Sequence, residues 1–263
     1  MNKNIPYQKK RSLLCSILAG ITGLLFMVSF SVNNKYPPVK TGTLKIIFTN
    51  TANGKPITLR DSVYHNYFGE TYSISKLKYY VSNITIKNKQ ASSNMGGYYL
   101  INAATDDNTI ELPLQPGIYS SLEFLLGVDS LRNCSGAQTG ALDPMNDMFW
   151  TWNSGYVMFK LEGNSPASLA DLKRIEHHLG GYKGTNNVAT KIKINFSDAA
   201  LPEIKTNSTT EIVIETNLDN YWHGISDIKI AEIPVCMTTG DLAKKIAANF
   251  QNLFSIKNIR SIP

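Results

Sequence analysis

Cysteine, histidine and charge are all scarce in this chain. Three cysteines and four histidines among 263 residues let the metal question be put to each residue in turn. Neither C-x-x-C nor H-E-x-x-H occurs, which removes the ordinary structural and peptidase zinc sites. A G-x-S-x-G elbow is also missing, and no histidine stands at a recognisable spacing from a nucleophile, so the common hydrolase arrangement lacks its parts. Internal repeats, long charge blocks and low-complexity tracts are absent, and helix signals are confined to one place. One β domain of the larger kind is expected.

The excess of positive charge is local. Lys3, Lys9, Lys10 and Arg11 precede an uncharged run from Leu13 to Ser31, the pattern of a secretory signal, with Ser29-Phe30-Ser31 offering small residues for cleavage. The rival reading is an uncleaved membrane anchor. Removing residues 1–31 takes four of the 26 basic residues, leaving 22 against 20 acidic ones. A balance of about +2 carries no implication of a nucleic-acid partner. Export to the periplasm, the cell envelope or the medium is expected, with contact to a membrane only through that segment. A linker, 32–42, follows it and contains Pro37-Pro38.

Beyond the linker, short apolar-alternating runs are separated by Gly, Pro, Asn and Asp clusters. Strands are predicted at 44–48, 56–60, 72–87, 98–102, 109–112, 119–128, 156–161, 190–196 and 211–215. Asn53-Gly54 is a hairpin turn signal. Tyr80, Ser82, Ile84 and Ile86 cannot share one environment, which places a bulge near Ser82. Leu242, Ile246, Phe250 and Leu253 recur at helical spacing after Thr239 and Asp241, predicting one C-terminal amphipathic helix. The expected fold is all-β: a β-sandwich of two mainly antiparallel sheets, domain 43–256, with a tail at 257–263.

The segment from Gly136 to Gly163 is the most informative. Trp150 and Trp152 stand one residue apart, between Asp143-Pro144 and Asn153-Ser154-Gly155. A strand beginning near Phe149 would turn both rings to one face. Buried tryptophans are common core residues, and core packing is the competing reading for each ring.

Four histidines remain to be placed. His177 and His178 are adjacent, so on a strand they face opposite ways and only one can join a given site. Imidazole suits copper or zinc. His65 and His223 stand in aromatic, turn-like settings and read equally well as plain loop residues. Asp129, Asp143 and Asp147 offer oxygen ligands for a structural calcium ion, although Asp143-Pro144 and Asn146-Asp147 are also turn residues. In an oxidising compartment Cys134 and Cys236 can pair. Closing a loop of about a hundred residues would contribute about 4–5 kcal/mol in the chain-entropy model. The alternative is two isolated buried thiols.

Several segments in order resemble the copper-binding MbnP-like family, exported proteins associated with methanobactin operons. They are FTNTANGKPITL, SKLKYYVSNI, the run from GVDSLRNCSG through MFWTWNSGYVMFKLEG, HHLGGYKG and LAKKIAANFQNLFSI. The resemblance implies a β-sandwich that binds one copper ion through histidine and a tryptophan oxidised to kynurenine by a partner di-haem enzyme of the MauG and cytochrome c peroxidase group. It also implies service to a copper-uptake outer-membrane system. Carried to this chain, Trp150 and Trp152 are the candidates for oxidation and His178 is the candidate imidazole. The family's first-strand motif often carries histidine where this chain has Asn50. An amide oxygen is a poorer copper donor, which leaves three alternatives: weaker binding, recruitment of His65 or His177, or loss of metal binding.

Two further functions compete with this one. A metal-free binding module would use Trp150, Trp152 and Tyr156 as an aromatic platform for a glycan or protein. An enzyme working through Asp143, Asp147 or Glu162 has no recognisable constellation behind it, and the chain is expected not to be an enzyme.

Overall fold

Alternation decides the first strand. In the computed structural model, which describes residues 40–105, 108–135, 138–151 and 154–262, β1 (Gly42–Ala52) buries Leu44, Ile46 and Phe48 and leaves the residues between them half-exposed. Asn53 and Gly54 both have positive φ, 51° and 70°, as a tight hairpin turn requires. The return strand β2 is only Lys55–Pro56, shorter than the expected 56–60. Pro56 has no N–H for the ladder.

After β3 (Tyr64–His65), the long β4 (Thr71–Lys87) organises the second sheet. Then come β5 (Ser92–Asn102), β6 (Thr109–Leu114), β7 (Gly117–Ile118), β8 (Ser121–Leu126) and the short helix α1 (Ser130–Asn133). The tryptophan segment supplies β9 (Phe149–Thr151) and β10 (Gly155–Asn164), and the histidine pair lies on β11 (Arg174–Gly180). The chain continues through β12 (Thr190–Asn195), β13 (Glu203–Ile204), β14 (Thr209–Asn217) and helix α2 (Asp219–Trp222). It ends with β15 (Val235–Cys236), helix α3 (Asp241–Ala247) and β16 (Phe254–Ile262).

Five strands form one sheet, in the order β16-β14-β1-β2 with β6 also on β1. Nine form a second, in the order β12-β8-β4-β10-β11-β15, with β3 and β5 on β4 and β9 on β10, and β7 and β13 pair as a separate two-stranded ribbon. Pairing is mainly antiparallel; β1 with β14 and β11 with β15 are the parallel pairs among the described strands. Along one edge of β4, β10 pairs with Ser73 to Tyr79 and β8 takes over from Val81 to Lys87. β5 runs along the opposite edge. The second sheet therefore forks at Tyr80, and the register shifts between Ser82 and Thr85, where Asn83 adopts φ 53°. That is the bulge the sequence pattern demands, and it curls the sheet.

The two sheets face each other through aromatic rings. Phe48 of the first meets Tyr79 and Phe124 of the second at 6.3 and 5.8 Å between ring centres, edge to face, a favoured geometry. Phe159 stacks on Tyr79 and on Tyr221 of α2. Trp222 is fully buried against Tyr72 and Tyr221.

The C-terminal region departs from the sequence reading in two ways. Residues 257–262 are no tail: β16 pairs with β14 from Phe254 to Ile262, so the domain runs past the expected boundary at 256. Its charged residues, Lys257 and Arg260, reach Glu215 and Glu211 of β14, and charges of this kind blunt an edge strand. The helix forms where expected but tightens into a 3-10 segment, Ala248–Asn252. Ala243 joins Ile246, Phe250 and Leu253 in the core, whereas Leu242 stays 39% exposed.

The expected disulfide is absent. Cys134 and Cys236 are both free, the first exposed at the end of α1 and the second buried on β15. Residues 1–31, carrying the targeting pattern, most of the linker, and Trp152 lie outside the described residues.

Candidate functional site

Strand alternation separates the two histidines of β11. His177 pairs with Leu161 and faces the core; His178 pairs with Lys160 and faces the other side of the sheet. His177 is completely buried. Its Nε2 lies 2.8 Å from the carbonyl of Ile233 and its Nδ1 2.7 Å from the hydroxyl of Tyr221. A carbonyl only accepts, so Nε2 carries the proton and Nδ1 accepts from Tyr221. Burial pushes the imidazole down to about 4, despite the hydrogen bond to Ile233. Both nitrogens are engaged, one with α2 and the other with the segment that leads into β15.

On the outer face, β4, β10 and β11 align Lys78, Lys160 and His178 in one row and Lys76, Glu162 and Glu176 in the next. Like groups directly opposite one another repel, and a cross-linked charge network offsets this. Glu162 reaches His178 Nε2 at 2.9 Å with one oxygen and Lys76 at 3.2 Å with the other. Arg174 pairs with Glu176 at 3.2 Å. The hydrogen bond from His178, with that from Lys76, holds the Glu162 carboxyl below its usual range against the effect of burial.

Three lysines pin the loop that leads into the tryptophan segment. Lys78 donates to the carbonyl of Asn146 at 2.9 Å and Lys76 to the Asp147 carboxylate at 2.8 Å. Lys160, only 3% exposed, reaches the Asp147 carbonyl and its carboxylate. Asp147 itself adopts φ 62°, a conformation that aspartate tolerates better than most residues. Burial opposes ionisation there, but the bonds from Lys76 and Lys160 prevail and bring its carboxyl down to about 2. Because that side chain is 56% exposed, solvent screens the pairing. Asp147→Asn is expected to lower stability by about 1 kcal/mol or less, read as a shift in the urea midpoint. A loss of several kcal/mol would show the ion pairs to be structural mainstays.

Beyond this clamp, Trp150 packs partly buried on the core. A Cβ placed on Gly180 would lie 2.6 Å from the ring atom Cζ3 of Trp150, so the indole occupies the space a side chain would fill. Gly180 lies two residues from His178 on β11, on the same face. Trp150 and His178 are thus brought to one side of one strand. Trp152 is outside the described residues, which leaves the expected two-ring surface represented by Trp150 alone. Tyr156 is no part of an exposed platform: it is fully buried, its hydroxyl donating to Leu142 at 2.7 Å.

The other expected residues lie elsewhere. Asn50 is on the first sheet, accepting from the Tyr79 hydroxyl at 3.0 Å. His65 is exposed on β3, tied through its backbone to Asn53. His223 stacks on Tyr67 at 3.7 Å between ring centres, with Nδ1 2.7 Å from Asp227. Asp129 caps α1 and accepts from Tyr98 and Asn83. Asp143 caps the turn Pro144–Asn146, and Asp147 is held by lysines, so the three aspartates serve separate local roles. Among the described residues no three histidine, cysteine, aspartate or glutamate side chains converge as a metal site.

Sequence reasoning passed over Lys76, Lys160, Glu162 and Gly180 as a group. A signal was present: Lys76 and Lys78, and Lys160 and Glu162, fall at period two between the apolar residues Leu77, Tyr79, Phe159 and Leu161, the mark of one polar face on each strand.

A family model described as MbnP matches residues 41–238. Among solved structures, MbnP from Methylosinus trichosporium aligns with a TM-score of 0.49 and 15% identity, covering 78% of this chain and 84% of that one. No curated protein matches.

Proposed function

Because this chain belongs to the MbnP family, we propose that it is an exported, non-catalytic protein that takes copper as cargo. It acts in the periplasm, at the cell envelope or in the medium, in acquisition or storage. One observation carries the reading: the ring of Trp150 lies over Gly180, two residues from His178 on the same face of β11.

Unmodified indole offers only a hydrogen-bond donor. Oxidative opening of the ring, in which dioxygen or peroxide supplies two oxygen atoms that cleave the indole C2–C3 bond and water then releases C2 as formate, leaves an aryl amine and a ketone, and so creates a nitrogen donor beside an imidazole. Nitrogen ligands of this type suit copper. The bare Cα of Gly180 accommodates the ring, which supports a two-donor set of His178 with oxidised Trp150; Trp152, outside the described residues, is the alternative ring. A di-haem enzyme of the MauG and cytochrome c peroxidase group is the partner that carries out the oxidation, and a copper-uptake system of the outer membrane is the recipient. Asn50, His65 and His177 contribute no donor in this reading. The first is held by Tyr79, the second is exposed on β3, and the third is buried with both nitrogens bonded.

The test is the intact mass and metal content of the protein purified from its native host, repeated for Trp150→Phe and Trp152→Phe. The expected result is a gain of about 4 Da, one carbon lost and one oxygen added, with bound copper that one substitution abolishes. An unmodified mass without copper would overturn the reading. Quenching of tryptophan fluorescence by a glycan or protein in the presence of a chelator would then identify a metal-free binding module.

A further inference from the structure

We infer that Glu162 is a positioning residue, which fixes His178 as its Nε2–H tautomer and so leaves Nδ1 as the lone pair offered to a ligand. The assignment deepens the copper reading and rests on it for the identity of that ligand; its claim about the ring stands on geometry alone.

Glu162 Oε1 lies 2.9 Å from His178 Nε2. The second oxygen is held at 3.2 Å by Lys76, which is itself anchored 2.8 Å from Asp147. An ionised carboxylate can only accept, so the nitrogen facing it must carry the proton. In neutral imidazole the other nitrogen is then the acceptor. Lys160 stands directly opposite His178 on β10, and Lys78 follows on β4. Neither ammonium can accept a proton from Nε2, so neither replaces Glu162 in this role. Glu176 approaches the same nitrogen only to 4.0 Å and is drawn aside by Arg174. Carboxylates placed this way behind a histidine set the tautomer and ring orientation of metal ligands, and their loss typically costs 10–100-fold in affinity.

His178 is only 7% exposed, so the ring is held in a defined setting. The neighbouring His177 is set in the same tautomer by a different partner, the carbonyl of Ile233. It faces the core, where both of its nitrogens are bonded. The two adjacent histidines are thus chemically distinct: one has its second nitrogen engaged, while the carboxylate behind the other keeps its second nitrogen a lone pair.

Long-range nitrogen–proton spectra of the uniformly 15N-labelled, metal-free chain at slightly alkaline pH read this directly. The four histidines give few signals, and His178→Gln assigns the relevant one. The wild type is expected to show His178 as Nε2–H. Glu162→Leu is expected to give a mixture of tautomers, and Glu162→Gln, whose amide oxygen turns to the Lys76 ammonium and whose NH2 then donates to Nε2, to shift the ring toward Nδ1–H. Anaerobic titration with copper(I) should perturb Nδ1 in the wild type, with at least about tenfold weaker binding in Glu162→Leu and in Glu162→Gln. A wild-type Nδ1–H ring, or a Glu162→Leu spectrum with the wild-type tautomer, would overturn the assignment. A Glu162-dependent tautomer in a protein that binds no copper would support it and sink the copper reading alone.

Discussion

Acidification from pH 7 to pH 4 is expected to remove about 3 kcal/mol of folding stability through His177 alone. Its imidazole is buried and titrates at about 4 in the folded protein, against 6.5 in the unfolded chain. Above about 6.5 the ring is neutral in both states and the penalty is absent. Between about 6.5 and 4 the unfolded chain binds a proton that the folded one excludes, and stability falls. Below about 4 both states carry the proton and the loss is complete. Asp147, depressed to about 2, has the same sign in a lower window: its contribution is present above about 4 and disappears toward 2, reduced by its exposure.

Urea midpoints at pH 7 and pH 4.5 measure the effect, and the difference between wild type and His177→Gln isolates the residue. Glutamine can bond both Tyr221 and Ile233, though with poorer geometry. The variant should be weaker at pH 7 by about 1–3 kcal/mol and have a shallower slope between pH 6.5 and 4.5. Equal slopes would show that His177 takes up its proton without resistance and that the buried tautomer is wrongly assigned.

Gly180→Val is the second large effect. The backbone there is not in the left-handed region, so the penalty is steric. A Cβ would lie 2.6 Å from Trp150 Cζ3, 3.0 Å from Cη2 and 3.0 Å from the carbonyl of Tyr156. Contacts this short force rings and backbone apart, and overpacking of this kind costs about 1–3 kcal/mol. The indole must leave the strand, so tryptophan emission should shift with the loss of stability. Under the copper reading, bound metal falls as well. In the double variant Gly180→Val with Trp150→Ala the clash with the ring is removed, so the cost should be less than the sum of the two single changes. Additive costs would mean that the ring and the glycine do not touch, and the site would lose its main support.

Local pattern made much of this protein legible. Leu44, Ile46 and Phe48 alternate in the sequence and are buried in β1, because side-chain period two is set by the backbone alone. The bulge in β4 followed from Ser82 interrupting an apolar face. The segment around Trp150 also carries the family resemblance. β16 escaped notice because the alternation of Phe254-Ser255-Ile256-Lys257 breaks at Asn258 and the strand is stabilised by β14, which lies far away in sequence.

Sequence by itself determined most of the strands, the all-β class and the rule that His177 and His178 face opposite ways if they share a strand. It could not say which of them is inside, because period two is symmetric until something covers one face. The tertiary structure broke that symmetry by packing α2 over His177 and by pinning the loop at Asn146 and Asp147 over the other face with Lys76, Lys78 and Lys160. Through-space geometry also left Cys134 and Cys236 unpaired, since disulfide formation requires a close approach of two Cβ atoms that spacing along the chain cannot establish. The meeting of Trp150 with Gly180 arises in the same way: a missing side chain on β11 makes room for a ring carried thirty residues earlier in the chain.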